Sequence, residues 1–245
     1  MRASLISLTA MLLLWQIASL LVNLPFLPPP VAVFRQMVQS FTAGNLTPHL
    51  LISLYRVMAA ISSAFVPALL LGLTAGRKKQ ADRAISPAVY LLYPVPKVAL
   101  LPVILLFLGL GNLSKIFFVA LIIFFPFYLN IRDEAAGLEE KYFQSLRTLG
   151  GGRKDILKHI LLPALLPRIF SSLRMGLGTA IAVLFLAETF ATREGIGWYI
   201  MDSWSRLAYG EMYGGIMALS LSGLFLFFLL DRGEKHFCSW HPSNK

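Results

Sequence analysis

Long apolar runs separated by short charged segments dominate the amino-acid sequence of this chain. A helix that crosses the ~30 Å hydrocarbon core of a bilayer needs about 20 consecutive, mostly apolar residues. Six stretches meet this requirement, and they are residues 5–24, 48–74, 85–108, 115–131, 173–190 and 212–230. The pattern predicts an all-α membrane protein in which residues 1–245 form a single domain of six transmembrane helices.

The composition agrees with this fold class and argues against a soluble protein. Hydrophobic residues make up 57% of the chain and charged residues only 14%. A soluble protein of this composition could not bury enough of its apolar residues and would leave too much apolar surface in water. The single cysteine, Cys238, cannot form an internal disulfide. Because Cys238, His236 and His241 are scattered along a tail without fixed spacing, we expect no metal site there.

Lysine and arginine residues are concentrated in the loops on one side of the predicted spans. Residues 77–83 and 132–172 are basic, whereas the outer loops contain only Arg35, Arg193 and Arg206. Since basic loops face the cytoplasm, both termini are predicted to be cytoplasmic, and the first span is predicted to be a retained anchor. The net charge of +10 then faces an anionic lipid leaflet. A nucleic-acid partner is not expected, because no basic cluster outside the spans is interleaved with stacking aromatic residues.

Two segments on the outer side have patterns of their own. The proline-rich residues 25–30 end the first span, and residues 31–41 have the apolar spacing of a short helix lying on the outer leaflet. Residues 192–211 carry four aromatic side chains, Trp198, Tyr199, Trp204 and Tyr209. Such residues either anchor to lipid headgroups or form an outer gate or docking face, and the sequence leaves both alternatives open.

The segment between the fourth and fifth spans, residues 132–172, is too long and too patterned to be a simple connector. Residues 138–149 predict a helix with one apolar face, formed by Leu138, Tyr142, Leu146 and Leu149. Gly150, Gly151 and Gly152 follow this helix and free the backbone for a sharp turn.

A second helix is predicted after the glycines. Asp155 lies in its first turn, where a carboxylate is favourable for the helix dipole, and its apolar face is formed by Ile156, Ile160 and Leu161. Pro163 and Pro167 are expected to end or kink it before the membrane. The two helices form a compact knob, defined here as residues 138–167, that suits a groove on a partner protein. The alternative is an amphipathic loop resting on the inner leaflet.

The knob contains a motif with a specific resemblance. Gly150, nine residues, Ile160, one residue and Leu162-Pro163 resemble the cytoplasmic EAA loop of binding-protein-dependent ABC transporter permeases. Gln144, Ser145 and Leu146 stand where that family has Glu-Ala-Ala, and residues 134–137, which do read Glu-Ala-Ala-Gly, lie ten residues too early. Four further segments resemble the nitrate, sulfonate, taurine and bicarbonate branch of the family in the right order: LPPPVAVFRQM (27–37), SLYRVMAAI (53–61), YPVPKVALLPVILLFLGLGNLSKI (93–116) and LAETFATREGIGWYIMDS (186–203).

The resemblance implies a function as well as a fold. The chain is expected to be the six-span permease of a bacterial inner-membrane importer, used as a homodimer, with each knob docked on one of two cytoplasmic ATPase subunits. A periplasmic or lipid-anchored binding protein would deliver a small anionic solute, and alternating access would carry it across. The residues implied in contact with the ATPase are Leu146, Gly150, Gly151, Arg153, Asp155, Ile156, His159, Ile160, Leu162 and Pro163.

ATP itself is not expected on this chain. The sequence contains no Gly-x-x-x-x-Gly-Lys-[Ser/Thr] phosphate loop, so the chain is expected to be no enzyme and to hold no cofactor, with ATP and Mg²⁺ bound by the partner. The identity of the solute is not readable from the chain, because the residues that recognise it are expected on the binding protein.

Three charged residues in apolar spans point to a candidate pathway. Arg56, Lys97 and Glu188 lie within or near the end of predicted spans, where an unpaired charge costs at least ~2.5 kcal/mol. Either Arg56 or Lys97 guides an anionic solute, or Arg56 and Glu188 form an interhelical ion pair. Pro94 and Pro96 interrupt the hydrogen bonds of the third span, which makes that span the candidate for lining the pathway. Lys115 is expected to extend its ammonium outward to water.

Two other classes of protein remain as alternatives. An ion-coupled secondary transporter would need intramembrane carboxylates, and Glu188 is the one candidate, with no visible inverted repeat. An intramembrane enzyme would need a catalytic set, but the sequence has no His-Glu-x-x-His or Gly-x-Ser-x-Gly, and its four histidines lie outside the predicted spans or at their edges.

Overall fold

The computed structural model describes residues 2–190 and 192–240, apart from the side chains of residues 2–5 and of Arg153. In these ranges the regular secondary structure is helical, as the apolar pattern predicts. The α-helices are α1 (Arg2–Val22), α2 (Pro30–Thr42), α3 (Leu46–Arg77), α4 (Lys79–Leu92), α5 (Leu101–Leu108), α6 (Asn112–Gly137), α7 (Glu140–Thr148), α8 (Arg153–Ile156), α9 (Leu162–Glu188), α10 (Ile196–Ser205) and α11 (Tyr209–Phe237). A 3₁₀ turn, Lys97–Leu100, leads into α5, and a π-helical turn, Leu157–Leu161, joins α8 to α9.

Four helices of the described chain are long and apolar enough to cross a membrane: Leu46–Arg77, Asn112–Gly137, Lys154–Glu188 and Tyr209–Phe237. They contain most of the second, fourth, fifth and sixth predicted spans and extend beyond them. Most of the fifth predicted span, residues 173–190, forms the last part of one continuous helix of 35 residues, Lys154–Glu188, which also contains α8 and the π turn. Basic residues in its first half interrupt the apolar pattern without interrupting the backbone hydrogen bonds of the helix.

The third predicted span is not a straight helix. Lys79–Leu92 and Lys97–Leu108 are bent against each other by 81°. The break contains Pro94 and Pro96, which have no N–H to donate to a helix. Counted as one span, this bent pair gives five candidates. The first predicted span lies in α1, whose apolar part, Ile6–Val22, is shorter than the four long helices, so the total of six remains a prediction.

The chain divides into two compact units. The first comprises Met1–Tyr55 and Phe185–Ser222. The helix predicted over residues 31–41 is confirmed as α2, and its Val33, Met37 and Ser40 are buried. The core of this unit is formed by Met37, Leu46, Ile196, Tyr199, Ile200 and Ala218. Tyr199 is therefore a core residue whose hydroxyl lies 3.1 Å from that of Ser40, and its predicted role as a headgroup anchor is wrong. The alternative of an outer gate or docking face remains a prediction.

The second unit comprises Arg56–Leu184 and Gly223–Lys245, and it contains the knob. Its α3 and α6 pack closely along a seam of small residues. A Cβ placed on Gly76 would lie 2.5 Å from the carbonyl oxygen of Arg132, and one placed on Gly72 would lie 3.1 Å from that of Tyr128. Such close backbone approach is typical of helix pairs in membranes, where van der Waals packing replaces the hydrophobic effect. The knob is thus attached to a tightly packed helix pair.

Candidate coupling site

The first helix of the knob ends in a specific backbone turn. Residues 140–148 form α7, which confirms the helix predicted over 138–149. Gly150 has φ +83°, a left-handed conformation that favours glycine. Its N–H donates to the carbonyl of Arg147, and the N–H of Gly151 donates to that of Leu146, both at 2.9 Å. This pair of bonds is the Schellman motif, which satisfies carbonyls that the helix end leaves without partners.

The other two glycines have different roles. A Cβ on Gly151 would lie 2.7 Å from Cγ of Leu146, so the chain must reverse at a residue without a side chain. The N–H of Gly152 donates to Oδ2 of Asp155 at 2.8 Å, which caps the second helix. The sequence predicted that Asp155 stabilises this helix start, and its hydrogen bond supports that prediction. The side chain of Arg153, also a predicted contact residue, lies outside the described part.

The second helix of the knob does not end at the prolines. Pro163 and Pro167 both lie inside α9, so of the two expected outcomes, an end or a kink, the end is wrong. The π turn stands immediately before Pro163, and the N–H of Leu162 donates to the carbonyl of Leu157, five residues earlier. A π turn widens the helix locally, and this is one way to displace the carbonyls that would meet a proline ring. His159 and Ile160 lie within this turn.

The predicted apolar faces of the knob are only partly covered by the rest of the chain. Leu149 is 84% exposed and Tyr142 is 50% exposed. Leu146, Ile156 and Ile160 are half-buried, while Leu157 and Leu162 are exposed. The buried residue of α7 is Phe143, which is only 1% exposed and does not belong to the predicted apolar face. An apolar face that is left open on a fixed loop is suited to contact with another protein.

Polar side chains of the second unit hold the base of the knob. The guanidinium of Arg77 lies 3.7 Å from the ring centre of Phe143 and donates to Glu140 at 3.1 Å. Arg132 donates to both carboxylate oxygens of Asp82, at 2.9 and 2.7 Å. In the sequence, Arg77 is one of several basic residues in the segment 77–83 that indicate topology. The partners of Arg77 are far along the chain, so no local pattern could reveal them.

Lys97, a candidate pathway residue, is engaged with the backbone of its own bent segment. Its ammonium donates to the carbonyls of Leu92, Tyr93 and Val95 at 3.0, 2.8 and 3.4 Å. It also lies 4.2 Å from the ring centre of Phe125. Inside a membrane, carbonyls that have lost their helical partners need another hydrogen-bond donor. The ammonium of Lys97 is such a donor at the point where Pro94 and Pro96 break the helix. A role of these three residues in the solute pathway remains a prediction.

Lys115 behaves in a similar way. Its side chain is fully buried, and its ammonium donates to the carbonyls of Leu110 and Gly111 at 2.6 and 3.3 Å. The expectation that it extends outward to water is therefore wrong. The loop before α6 provides oxygen acceptors close enough to replace water.

Glu188, the last residue of α9, is the centre of a buried network in the first unit. Ser53 donates its hydroxyl hydrogen to the carboxylate and lies 2.8 Å from each oxygen, and the N–H of Gly197 donates at 3.0 Å. A Cβ on Gly195 would overlap the Glu188 carboxyl group, so the chain closes over it only because this position is glycine. The carboxylate thus lies at the start of α10, where a negative charge is favourable.

Arg56 is buried in the second unit and donates from Nε to Oδ1 of Asn112 at 2.8 Å. The predicted ion pair between Arg56 and Glu188, and a contact of either with solute, remain predictions.

Metal ligation has no support among the residues that the structure describes, where no group of three or more His, Cys, Asp or Glu side chains could hold an ion. His241, one of the tail residues considered, lies outside them. Burial raises the pKa of the Cys238 thiol, which disfavours the thiolate that metals and electrophiles require.

Comparison with known proteins adds an independent finding. Residues 68–237, which include the whole knob, match the family described as binding-protein-dependent transport system inner membrane component. The taurine transport system permease protein TauC of Escherichia coli is 29% identical over 93% of this chain and 85% of its own length. The putative aliphatic sulfonates transport permease protein SsuC of Bacillus subtilis is 29% identical, over 94% and 84%. The nitrate import permease protein NrtB of Synechococcus elongatus is 28% identical, over 87% and 83%.

Proposed function

Because the chain belongs to the family of binding-protein-dependent transport system inner membrane components, we propose that it is the transmembrane permease subunit of an ATP-driven importer. In this proposal two copies of the chain form the membrane pathway, with both termini in the cytoplasm of a bacterial cell. Two cytoplasmic ATPase subunits bind ATP and Mg²⁺. A separate binding protein delivers the solute from outside.

The proposed solute is a small molecule that carries an oxyanion group. The relatives are named for taurine, aliphatic sulfonates and nitrate. These three share a compact negative charge spread over oxygen atoms. The residues that choose among them are expected on the binding protein, so this chain needs only a pathway that admits such a group.

The observation that carries the proposed mechanism is the exposed apolar surface of a knob with a fixed backbone. Leu149 is 84% exposed, yet it precedes a turn fixed by two backbone hydrogen bonds. If ATP closes the two ATPase subunits on each other, a rigid knob held in a cleft of each subunit would transmit that movement to α6 and α9, the helices that flank the knob in the chain. The two halves would then alternate between inward- and outward-facing states.

Glu188 gives little support to the alternative of an ion-coupled secondary transporter. Its carboxylate accepts hydrogen bonds from Ser53 and Gly197 and is enclosed by Gly195. A carboxylate that binds and releases a coupling ion needs access to water, and Glu188 is fully buried.

The proposal is tested by copurification from the native membrane. The tagged wild-type chain should bring an ATPase subunit with it, and Leu149→Asp should lose that subunit, because a carboxylate then faces an apolar cleft. The matched control is Leu207→Asp. Leu207 is 68% exposed, has φ +58° and lies in a loop predicted on the outer side, so the same substitution should leave recovery unchanged.

Three outcomes distinguish the alternatives. Loss of the ATPase in Leu149→Asp alone would support docking through the knob. Equal recovery from both variants would show that the knob is not the main dock. No ATPase with the wild type under any condition would favour the secondary transporter.

A further inference from the structure

Arg77 contacts the knob from a helix that is not adjacent to it in sequence. It is the last residue of α3, and its NH1 donates to the carbonyls of Ala135 and Leu138 at 3.3 and 3.4 Å. Its NH2 lies 3.1 Å from Glu140, and its guanidinium carbon lies 3.7 Å from the ring centre of Phe143. One side chain thus contacts the end of α6, the connection after it and the first helix of the knob.

Arginine is suited to this position in a way that lysine is not. The planar guanidinium offers donors in several fixed directions while one face stays free to stack on an aromatic ring. The carbonyl of Ala135 lies in the last turn of α6, where carbonyls have no helical partner. Phe143 is only 1% exposed, so the ring under the guanidinium is sealed from water.

The helix that carries Arg77 has little freedom to slide. Gly76, the preceding residue, packs so closely on α6 that a Cβ would lie 2.5 Å from the carbonyl oxygen of Arg132 and 2.7 Å from Cβ of Ala135. Arg132 in turn forms a two-pronged pair with Asp82 of α4. The ends of α3, α4 and α6 are therefore joined where the knob begins.

We propose that Arg77 is a positioning residue that makes α3 and the first helix of the knob move as one body. A force on the knob then reaches α3 as well as α6 and α9, the helices that continue the knob in the chain. The source of that force, a partner ATPase, rests on the proposed function. The joining of α3 to the knob does not.

The test measures the distance between α3 and the knob directly. Spin labels are placed at Thr74→Cys on α3 and Ser145→Cys on α7, both exposed, in a Cys238→Ser background, and pulsed electron resonance is recorded on the purified full-length chain. The parent should give one narrow distance peak. Arg77→Gln should lose that single peak, and Arg77→Lys, which keeps the charge near Glu140 but not the planar donors, should fall between the two.

Arg147→Gln is the matched control. Arg147 also pairs with Glu140, at 3.4 Å, but it is an exposed residue of the knob itself. Its substitution should leave the narrow peak unchanged. A narrow peak in Arg77→Gln, or equal broadening in Arg147→Gln, would overturn the proposal.

A second measurement uses the complex with the copurified ATPase. Addition of ATP and vanadate should leave the distance between the two labels unchanged when Arg77 is present and should change it in Arg77→Gln. A change in the presence of Arg77 would show that α3 and the knob move separately and would refute the proposal. If no ATPase copurifies, the proposed function fails, while the measurement on the chain alone still decides the role of Arg77.

Discussion

At the scale of single residues, charged side chains in this protein satisfy the backbone where helices begin, break or end. Lys97 donates to three carbonyls at the break after α4, and Lys115 donates to two carbonyls before α6. Glu188 accepts from an N–H at the start of α10. Because lipid cannot replace these partners, a charged side chain in a predicted span need not mark a solute site.

This account predicts a stability defect in Lys97→Met. The substitution keeps the length of the side chain but leaves the carbonyls of Leu92 and Tyr93 without the ammonium. We expect a loss of about 1 kcal/mol or more, seen as a lower midpoint of thermal unfolding in detergent. Lys79→Met, at an exposed position of α4, is the control and should leave the midpoint unchanged. Normal stability combined with lost transport in Lys97→Met would instead assign Lys97 to the pathway.

At the scale of helices, packing and proline positions decide where each element starts, bends and stops. Pro163 and Pro167 lie inside a continuous helix that contains a π turn, whereas Pro94 and Pro96 lie at an 81° bend. Proline is thus tolerated within a helix at one place and found at a sharp bend at the other. The outcome depends on whether the carbonyls that lose their hydrogen bonds find other partners. The spacing of prolines in the sequence does not reveal those partners.

The seam between α3 and α6 makes a second prediction. Gly76→Ala should destabilise the protein by about 1–3 kcal/mol, because the added methyl group has no space between the two backbones. Gly137→Ala, at the end of α6, is the control, since a Cβ there meets nothing within 4 Å. Thermal unfolding of both purified variants measures the effect. Equal midpoints would mean that the seam relaxes easily and that α3 is not held tightly against α6.

At the scale of the whole molecule, the orientation of the chain in the membrane decides whether the knob can meet an ATPase. The arginine and lysine pattern predicts that the knob and both termini are cytoplasmic. Family membership agrees with a membrane protein but does not set this orientation.

Orientation is tested by labelling with a membrane-impermeant maleimide in a Cys238→Ser background. Leu207→Cys should react in intact cells, and Lys78→Cys, in a predicted cytoplasmic segment outside the knob, should react only after the membrane is permeabilised. Both side chains are exposed and neither belongs to the proposed ATPase dock, so a difference reports the side of the membrane rather than burial. The reverse pattern would rule out docking of the knob on a cytoplasmic partner.

Part of the candidate site follows from local sequence, and part does not. Gly150 and Asp155 were identified because a left-handed turn and a helix start depend on a few consecutive residues. Phe143 and Arg77 were missed because each is placed by a partner far along the chain. Lys97 was identified as a buried charge, but its partners depend on a bend that the apolar run conceals.

The class of the protein, the positions of its apolar runs and the location of the knob are all predictable from local sequence. These follow from hydrophobic length and from the glycine turn, both of which are local properties. Three features become visible only in the folded chain: the bend within residues 85–108, the continuity of the helix Lys154–Glu188 and the contact of Arg77 with the knob. The physical reason is that helices in lipid are oriented by close packing and by satisfaction of buried polar groups, and both involve residues distant in sequence.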